Sequence, residues 1–472
     1  MSASVSGAAT AQVRASSGPL PFLATLALAV AAALLVNWWV GTAVLALGLV
    51  LITRPFDPFI ALLLCASAAA FAAYGDRSIQ RDLTVVLVLS IYATASFALA
   101  WRCRTWSLPT SQFSLALLGL ALTSALGTAH GLAVKNPFRF ICLELFPLFS
   151  LSYSLVIGGM RLKPVDLTIA GWTLAAVGLA ASSIGFHYYA TTGMRTGGLP
   201  FSPIPGFIGL IVLSLALFDP TPRPRVLPIA VFCVLMAHQV VTFTRGFWLG
   251  LMAGVPVVFI LYGRRGAGAR ARWTKVMSTV GLAGLLMLGA ALAAAAHPRW
   301  GEMIALMGDR FLSSFETKNT PETVSNIVRL VEARTAVQAI LKAPLLGHGH
   351  GATLVVRQFF HPQTGPQWWI HEGYIMIWFK QGVIGLVGLI WLLYSALRMG
   401  IKGTSHPDRQ VAGWCAASAA CTVFAIVVGL TNYFFFVVSQ SFLLAFVWGI
   451  SLSASEPEHR PIVWRAAVKP PG

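Results

Sequence analysis

Charged residues are scarce in this chain. Only 10% of its 472 residues are Asp, Glu, Lys or Arg, whereas a soluble globular protein carries about a quarter. Hydrophobic residues make up 57% of the chain, and the mean hydropathy is +0.76. Apolar runs of about 20 residues, long enough to cross a bilayer, recur from one end to the other. The composition excludes a soluble globular protein and predicts an all-α, polytopic membrane protein with about 12 to 14 transmembrane helices.

Acidic residues are the rarer charged class, with 15 Asp and Glu against 33 Lys and Arg. An Asp-x-Asp metal site needs two acidic residues one position apart. The only such pair, Glu456 and Glu458, lies in the C-terminal tail. His371 and Glu372 do not begin an HExxH zinc motif, because Ile375 stands where the second histidine would be. These patterns argue against both kinds of metal site.

The cysteines and the remaining histidine cluster do not indicate a metal site either. The cysteines show no CxxC spacing, so the sequence supports neither a zinc site nor a disulfide framework, and core filling is the better interpretation. They are Cys65, Cys103, Cys142, Cys233, Cys415 and Cys421. In "GHGHG", the glycines predict a tight turn after a helix rather than a metal site at His348 and His350. We therefore expect no metal and no cofactor.

The formal net charge is +18, but the basic residues lie in short loops between apolar runs, which argues against a nucleic-acid partner. The densest basic block is "GRRGAGARARWTK", and the positive-inside rule places it in the cytoplasm. Alternation from this loop places both termini in the cytoplasm. The predicted organisation is transmembrane helices with short loops (1–296), a long outward-facing helical loop (297–370), C-terminal transmembrane helices (371–455) and a cytoplasmic tail (456–472).

The outward-facing loop is far longer than an ordinary connection, which indicates a function or secondary structure of its own. Within it, "PETVSNIVRLVEARTAVQAILKAP" combines helical spacing of apolar residues with few helix breakers. Pro321 stands near the start of this stretch and Pro344 follows it. We predict one substantial helix here, lying on or near the outer membrane face.

Several basic residues on the outward side run against the positive-inside bias. Snorkelling to the interface accounts for any one of them taken alone. Arg245 differs because it interrupts an apolar context in "VVTFTRGFWLG" and cannot lose its charge, so it needs an anion. Guanidinium groups bind phosphate oxygens two at a time, which favours a lipid phosphate or pyrophosphate as the partner. The other basic residues are Arg195, Arg329, Arg139 and Lys135.

His371 lies in "WWIHEGYIMIWFKQGVIGL", just before an apolar run long enough to enter a membrane. One interpretation is an interfacial histidine that bonds to a backbone carbonyl. The other is chemical, because imidazole takes up a proton near neutral pH and nearby arginines stabilise charge on a departing phosphate oxygen. A lone histidine with several arginines suits the transfer of a group from a lipid pyrophosphate to a hydroxyl.

Three segments carry a resemblance to a known family. They are "TFTRGFWLG", the helix and turn "VRLVEARTAVQAILKAPLLGHGHG", and "HEGYIMIWFKQGVIGLVG". In this order they resemble the O-antigen ligase and Wzy-type polymerase superfamily of bacterial envelope proteins. The segments cover residues 242 to 388, and "RTGGLPFSPIPG" is similar to an earlier arginine–glycine loop of the family. The apolar N-terminal half fits by topology only.

The resemblance implies a multi-pass enzyme of the bacterial inner membrane whose site faces the periplasm. It makes His371 the base or the residue that orients the acceptor. It makes Arg245 and Arg329 the ligands of the pyrophosphate of an undecaprenyl-linked glycan, with Arg195 as a helper. Glu372 stands where family members often have a small polar residue, so it is a candidate to pair with an arginine or to orient His371. Arg139, Lys135 and Tyr374 complete the supporting candidates.

The function this implies is the inverting, metal-independent transfer of O-antigen glycan from undecaprenyl pyrophosphate to lipid A–core. The nearest alternative is a polysaccharide polymerase of the same superfamily, which needs the same chemistry. The single outer loop with "HEGY" close to a transmembrane run favours the ligase. A more distant alternative is a transporter of an anionic lipid, which charges spread through mid-span positions would favour. The charged residues of this sequence cluster instead at one face.

Overall fold

The fold is described from a computed structural model. The described residues are 109–160, 162–192, 202–219, 226–242, 244–265, 269–295, 301, 321–356 and 366–455. Almost all of this part of the chain is helical, and its one β-ladder pairs Leu354–Val355 with Pro366–Gln367. The all-α prediction is confirmed. Arg195 and the apolar runs predicted before residue 109 lie outside the described residues.

Twelve helices and one 3-10 turn follow one another along the described residues. They are α1 (Gln112–Ala133), α2 (Phe138–Ser150), α3 (Tyr153–Gly158), α4 (Pro164–Thr192), α5 (Ile204–Phe218), α6 (Val226–Val241), α7 (Arg245–Gly263), α8 (Ala269–Ala295), α9 (Pro321–Ile340), α10 (Gly373–Gly403), α11 (Arg409–Gly429) and α12 (Val438–Ser455), with a 3-10 turn at Phe434–Phe436. The helix predicted within the long loop is α9, and its position at the outer membrane face stays a prediction.

Six helical stretches of the described chain are long and apolar enough to cross a membrane. They are α1, the α2–α3 pair, α4, α7, α10 and α11, and α5, α6 and most of α12 are shorter apolar helices. These helices make the chain a multi-pass membrane protein. The total of 12 to 14 stays a prediction, because it includes runs outside the described residues.

Connections between the helices gather at two ends of the bundle. At one of them, the basic end, the Arg265 guanidinium donates to the carbonyl oxygens of His406 and Pro407. The Lys275 ammonium donates to the carbonyl oxygen of Asp219, 2.8 Å away. These residues connect or flank five of the helices, and Arg265 and Lys275 belong to the basic block that the sequence analysis assigned to the cytoplasm.

The opposite end, here called the site end, holds the connections assigned to the outer side. The Asn136 amide donates to the carbonyl oxygens of His348 and His350, at 3.0 and 2.9 Å. The Gln239 amide donates to the carbonyl oxygen of Ser202 at 2.7 Å. These bonds join the turn between α1 and α2 to residues 348–350, and the end of α6 to the residues before α5.

Helix α11 forms the centre of the bundle, and 78% of its most apolar window is buried. Its buried surface consists largely of small residues: Ala412, Gly413, Ala416, Ala417, Ala419 and Ala420. Small side chains let neighbouring helices approach closely. A Cβ atom on Gly400 of α10 would lie 2.8 Å from the backbone nitrogen of Ala419, and one on Gly254 of α7 would lie 3.2 Å from the carbonyl oxygen of Ala420.

Helix α10 is broken at Gly382, whose backbone has φ 70° and ψ −172°. The carbonyl oxygens of Phe379 and Lys380 accept backbone N–H groups of the segment 344–349, at 2.8 and 2.9 Å. The N–H of Val383 donates back to this segment at 2.9 Å. Broken helices are tolerated at membrane depth where protein satisfies the freed backbone groups, and here the incoming segment does so.

The incoming segment continues into "GHGHG" (347–351), whose three glycines all have positive φ, at 67°, 79° and 79° for Gly347, Gly349 and Gly351. This confirms the predicted tight turn. The ring of His350 is fully buried, with Nδ1 3.1 Å from a Glu144 carboxylate oxygen. The ring of His348 bonds to the carbonyl oxygen of Ala339 at 2.9 Å. Both histidines therefore join the turn to its surroundings.

A buried ion pair lies beside this turn. The Lys380 ammonium is 2.5 Å from the Glu144 carboxylate, and both side chains have no exposed surface. The second carboxylate oxygen of Glu144 accepts the N–H of Gly351 at 2.8 Å. Each of the two residues lies about 10 Å along its helix from the start of that helix at the site end, Lys380 in α10 and Glu144 in α2. The expectation that charges cluster at one face is therefore wrong for this pair. The two opposite charges neutralise each other, which makes their burial tolerable.

Candidate functional site

His371 precedes α10 at the site end and is held by a carboxylate from α9. Its Nδ1 atom lies 2.5 Å from Oε2 of Glu332, and its backbone N–H donates to Oε1 of the same carboxylate at 3.2 Å. The Glu332 side chain is 1% exposed, whereas that of His371 is 34% exposed. The histidine thus has one ring nitrogen held inside the protein and a ring that remains accessible.

Arg329 lies one turn before Glu332 on α9. Its Nη1 atom donates to the carbonyl oxygen of Thr431 at 3.2 Å. Thr431 belongs to the turn between α11 and the 3-10 segment. The long loop therefore docks against the site end through two side chains of one helix face, and Arg329 stands near His371.

Arg245 is the first residue of α7 and is half-buried. The next residue, Gly246, lies so close to the Thr431 turn that a Cβ atom would be 2.1 Å from the Thr431 hydroxyl oxygen. The start of α7 is held further by the Trp248 indole N–H, which donates to the carbonyl oxygen of Gln239 at 2.7 Å. Thr431 is thus a shared neighbour of the α7 start and of Arg329, and it brings Arg245 to the same end as His371.

Glu372 occupies the N-cap position of α10, but its side chain does not cap the helix. Its Oε2 atom is buried and has no hydrogen-bond partner among the described residues. Burial raises the pKa of this carboxyl, as does the nearby Glu332 carboxylate, while His371 and Arg329 act in the opposite direction. The described carboxylate bond to the His371 ring comes from Glu332, and the role of Glu372 toward an arginine or His371 stays a prediction.

The other supporting candidates differ in their distance from this centre. The Tyr374 hydroxyl donates to the carbonyl oxygen of Ile426 at 3.0 Å, which braces α10 against α11. The exposed Arg139 guanidinium lies 4.8 Å over the Phe140 ring, and that ring stacks on Trp368 at 6.1 Å and 18°. Trp368 is three residues before His371, so Arg139 lies on the same rim.

Lys135 is exposed at the turn between α1 and α2 and has a positive φ of 61°. No ion pair or hydrogen bond of its side chain reaches the described residues around His371. Arg195, the remaining predicted ligand, falls in the stretch 193–201, which is outside the described residues. In the part of the chain that the structure describes, no three His, Cys, Asp or Glu side chains form a metal-binding group.

A groove of about 450 Å³ lies at the basic end, between α4, α5 and α6. Its walls are mostly apolar, with Leu167, Trp172 and Val231 among them, and Asp408 and Arg409 stand at its rim. This groove and His371 are at opposite ends of the bundle. It therefore takes no part in the arrangement around the histidine.

The geometry around His371 suits uptake of a proton by its ring next to an anion bound by the arginines. An ionised carboxylate has only acceptor atoms, so Glu332 accepts a hydrogen bond from an N–H at Nδ1 of His371. The lone pair of the neutral ring is then on Nε2. Arg329 and Arg245 provide positive charge at the same end of the bundle. Residues 227–390 match the family model described as O-antigen ligase, Wzy_C.

This segment is similar to the O-antigen ligase family. It makes up about a third of the 472-residue chain, and a comparison with curated proteins finds no match. The family model leaves residues 1–226 and 391–472 unmatched.

The O-antigen ligase segment contains Arg245, Arg329, Glu332 and His371. It runs from α6 to the first half of α10 and includes all of α9. The Thr431 turn, which contacts both the α7 start and Arg329, lies outside the segment. The neighbouring helices therefore complete the site.

Sequence reasoning missed Glu332. The residue is 39 positions before His371, and a single glutamate in a polar helix is indistinguishable from a solvated surface charge. One signal was available in the sequence. Glu332 follows Arg329 by three positions, which places both on one face of a helix, and Arg329 had already been assigned to the site.

Proposed function

We propose that the chain transfers a glycan from undecaprenyl pyrophosphate to lipid A–core at the periplasmic face of the inner membrane. The observation that carries the proposal is the juxtaposition of an accessible, carboxylate-held His371 with Arg329 and the Arg245-bearing start of α7. The O-antigen ligase family match supports the same reaction class. In this proposal the site end faces the periplasm.

The proposed reaction is a single displacement with inversion. A hydroxyl oxygen of the acceptor sugar attacks the anomeric carbon of the donor, and the bond from that carbon to the pyrophosphate oxygen breaks. The hydroxyl proton goes to Nε2 of His371, and the bonding electrons leave with undecaprenyl pyrophosphate. The energy is already present in the donor, so no nucleotide is required.

Arginines supply the positive charge that the departing pyrophosphate needs. A guanidinium has five N–H donors, and the bond from Arg329 to Thr431 uses one of them. Bidentate contacts to phosphate oxygens suit the remaining donors. The N-termini of α7 and α10 also lie at this end, and their partial positive charge adds to that of the arginines. We expect these groups to stabilise the leaving group without a divalent cation.

The test is reconstitution of the purified protein with lipid-linked glycan and core acceptor, with and without a chelator. We expect transfer by the wild type in both conditions and a loss of about 10²-fold or more for His371→Ala, Arg245→Ala and Arg329→Ala. Arg334→Ala is the matched control, because Arg334 is exposed on α9. Full activity of the His371 variant would contradict the proposal, and activity lost to the chelator and restored by Mg²⁺ would contradict its metal independence.

The lipopolysaccharide of a deletion strain distinguishes the ligase from the polymerase. Loss of a ligase leaves core without attached glycan, whereas loss of a polymerase leaves core that carries one repeat unit. Glycan transfer in detergent, where no gradient exists, separates both enzymes from a transporter. We expect core alone in the deletion strain.

A further inference from the structure

Glu332 makes all of its described hydrogen bonds to one residue. Oε2 lies 2.5 Å from Nδ1 of His371, and Oε1 accepts the backbone N–H of His371 at 3.2 Å. The carboxylate is fully buried. Burial of a carboxylate costs free energy unless it is hydrogen-bonded or paired, and the groups that compensate here are both on His371.

A purely structural tether would not need a negative charge. A glutamine could bond the same backbone N–H and the same ring nitrogen, and it would avoid the cost of burying a carboxylate. The two side chains differ in the tautomer that they favour in the neutral ring and in the charge that they offer when the ring gains a proton. A carboxylate on Nδ1 stabilises the resulting imidazolium and keeps the lone pair of the neutral ring on Nε2.

We propose that Glu332 is a positioning residue that fixes the tautomer and orientation of His371 and stabilises the imidazolium formed during glycan transfer. This inference rests on the proposed function. Arg329, one turn earlier on α9, and Glu372, next to His371, are the other charged groups near the dyad. Glu372 makes no hydrogen bond to the ring, so Glu332 alone fills this role among the described residues.

The decisive variant is Glu332→Gln, which keeps the size of the side chain but removes the charge and replaces one acceptor oxygen with an NH2 donor. We expect kcat to fall by about 10²-fold or more, with KM for donor and acceptor within about twofold and an unchanged melting temperature. Glu332→Asp keeps the charge one methylene further back, so its kcat should lie between those of wild type and Glu332→Gln. Arg334→Gln, on the exposed face of the same helix, should match the wild type.

A double variant separates positioning from packing. If Glu332 acts through His371, adding Glu332→Gln to His371→Ala lowers the residual rate no further, because the two residues act as one unit. Additive losses would overturn the proposal, as would a wild-type kcat in Glu332→Gln. If that variant does not fold, Glu332→Asp decides, and a wild-type kcat for it would refute the proposed role.

These outcomes are distinct from a failure of the proposed function. A wild-type protein that transfers no glycan from the lipid-linked donor would refute the function itself. A wild-type protein that transfers glycan, alongside an equally active Glu332→Gln, would refute only the role of Glu332.

Discussion

The two carboxyl groups next to His371 have different surroundings. Glu332 uses both oxygens as acceptors for N–H groups of the histidine. Glu372, one position from the histidine in sequence, has a buried oxygen with no partner among the described residues. Sequence proximity therefore did not identify the partner of the histidine, because a residue's neighbour in the chain points away from it whenever the backbone is extended, as it is at Glu372.

The buried Glu372 carboxyl makes the stability of the protein depend on pH. Burial raises its folded-state pKa above the ordinary value of 4.5. The folded state therefore holds the proton more tightly than the unfolded state. The contribution of this carboxyl to the free energy of unfolding is greatest below the unfolded pKa and declines as the pH rises through the folded pKa.

We expect Glu372→Gln to remove this decline and to raise the melting temperature at alkaline pH by about 1–3 °C. Thermal unfolding of the purified protein in detergent between about pH 5 and pH 8 measures the effect. Asp408→Asn is the control, because Asp408 is exposed at a helix N-cap where asparagine is equally suitable. A lower melting temperature for Glu372→Gln at high pH would contradict this account.

At the scale of elements, the break in α10 and the incoming segment 344–349 depend on each other. Gly382 adopts φ 70°, and a Cβ atom there would lie 2.0 Å from the carbonyl oxygen of Leu345. This carbonyl is backbone and cannot swing away. The break sets the direction of the N-terminal half of α10, which begins two residues after His371.

We expect Gly382→Ala to destabilise the protein, because the backbone conformation alone costs about 1–3 kcal/mol for a residue with a Cβ atom and the contact with Leu345 adds to this. Gly284→Ala in α8 is the matched control, since nothing lies within 4 Å of a Cβ atom at that glycine. The melting temperatures of the two purified variants measure the difference. Equal melting temperatures would show that α10 accommodates the change without a cost.

The sequence was sufficient to predict the regular elements and insufficient for the break. Apolar runs and the prolines around α9 are local signals, and both the membrane helices and α9 follow from them. Gly382 lies in an apolar run that is continuous in sequence, and its conformation is determined by a segment that returns from more than thirty residues earlier. The Glu144–Lys380 pair escaped prediction for a related reason, because its partners are 236 positions apart.

At the scale of the whole molecule, the basic residues at one end of the bundle are the basis for the proposed orientation. Arg265 and Lys275 connect loops at the basic end, while His371 and the Thr431 turn lie at the other. The positive-inside rule then orients the basic end toward the cytoplasm. A lipid-linked donor with its glycan outside the cytoplasm would meet His371 only in this orientation.

Single cysteines test the orientation directly. We expect Arg334→Cys, exposed on α9, to react with a membrane-impermeant maleimide in intact spheroplasts, and Ser405→Cys, exposed at the basic end, to react only after permeabilisation. The physical reason is that basic loops remain on the cytoplasmic side during insertion. Unsubstituted protein is the control for native thiols, and four of these, Cys142, Cys233, Cys415 and Cys421, are buried or half-buried. The opposite labelling pattern would place His371 in the cytoplasm, away from a periplasmic acceptor, and would rule out the proposed reaction.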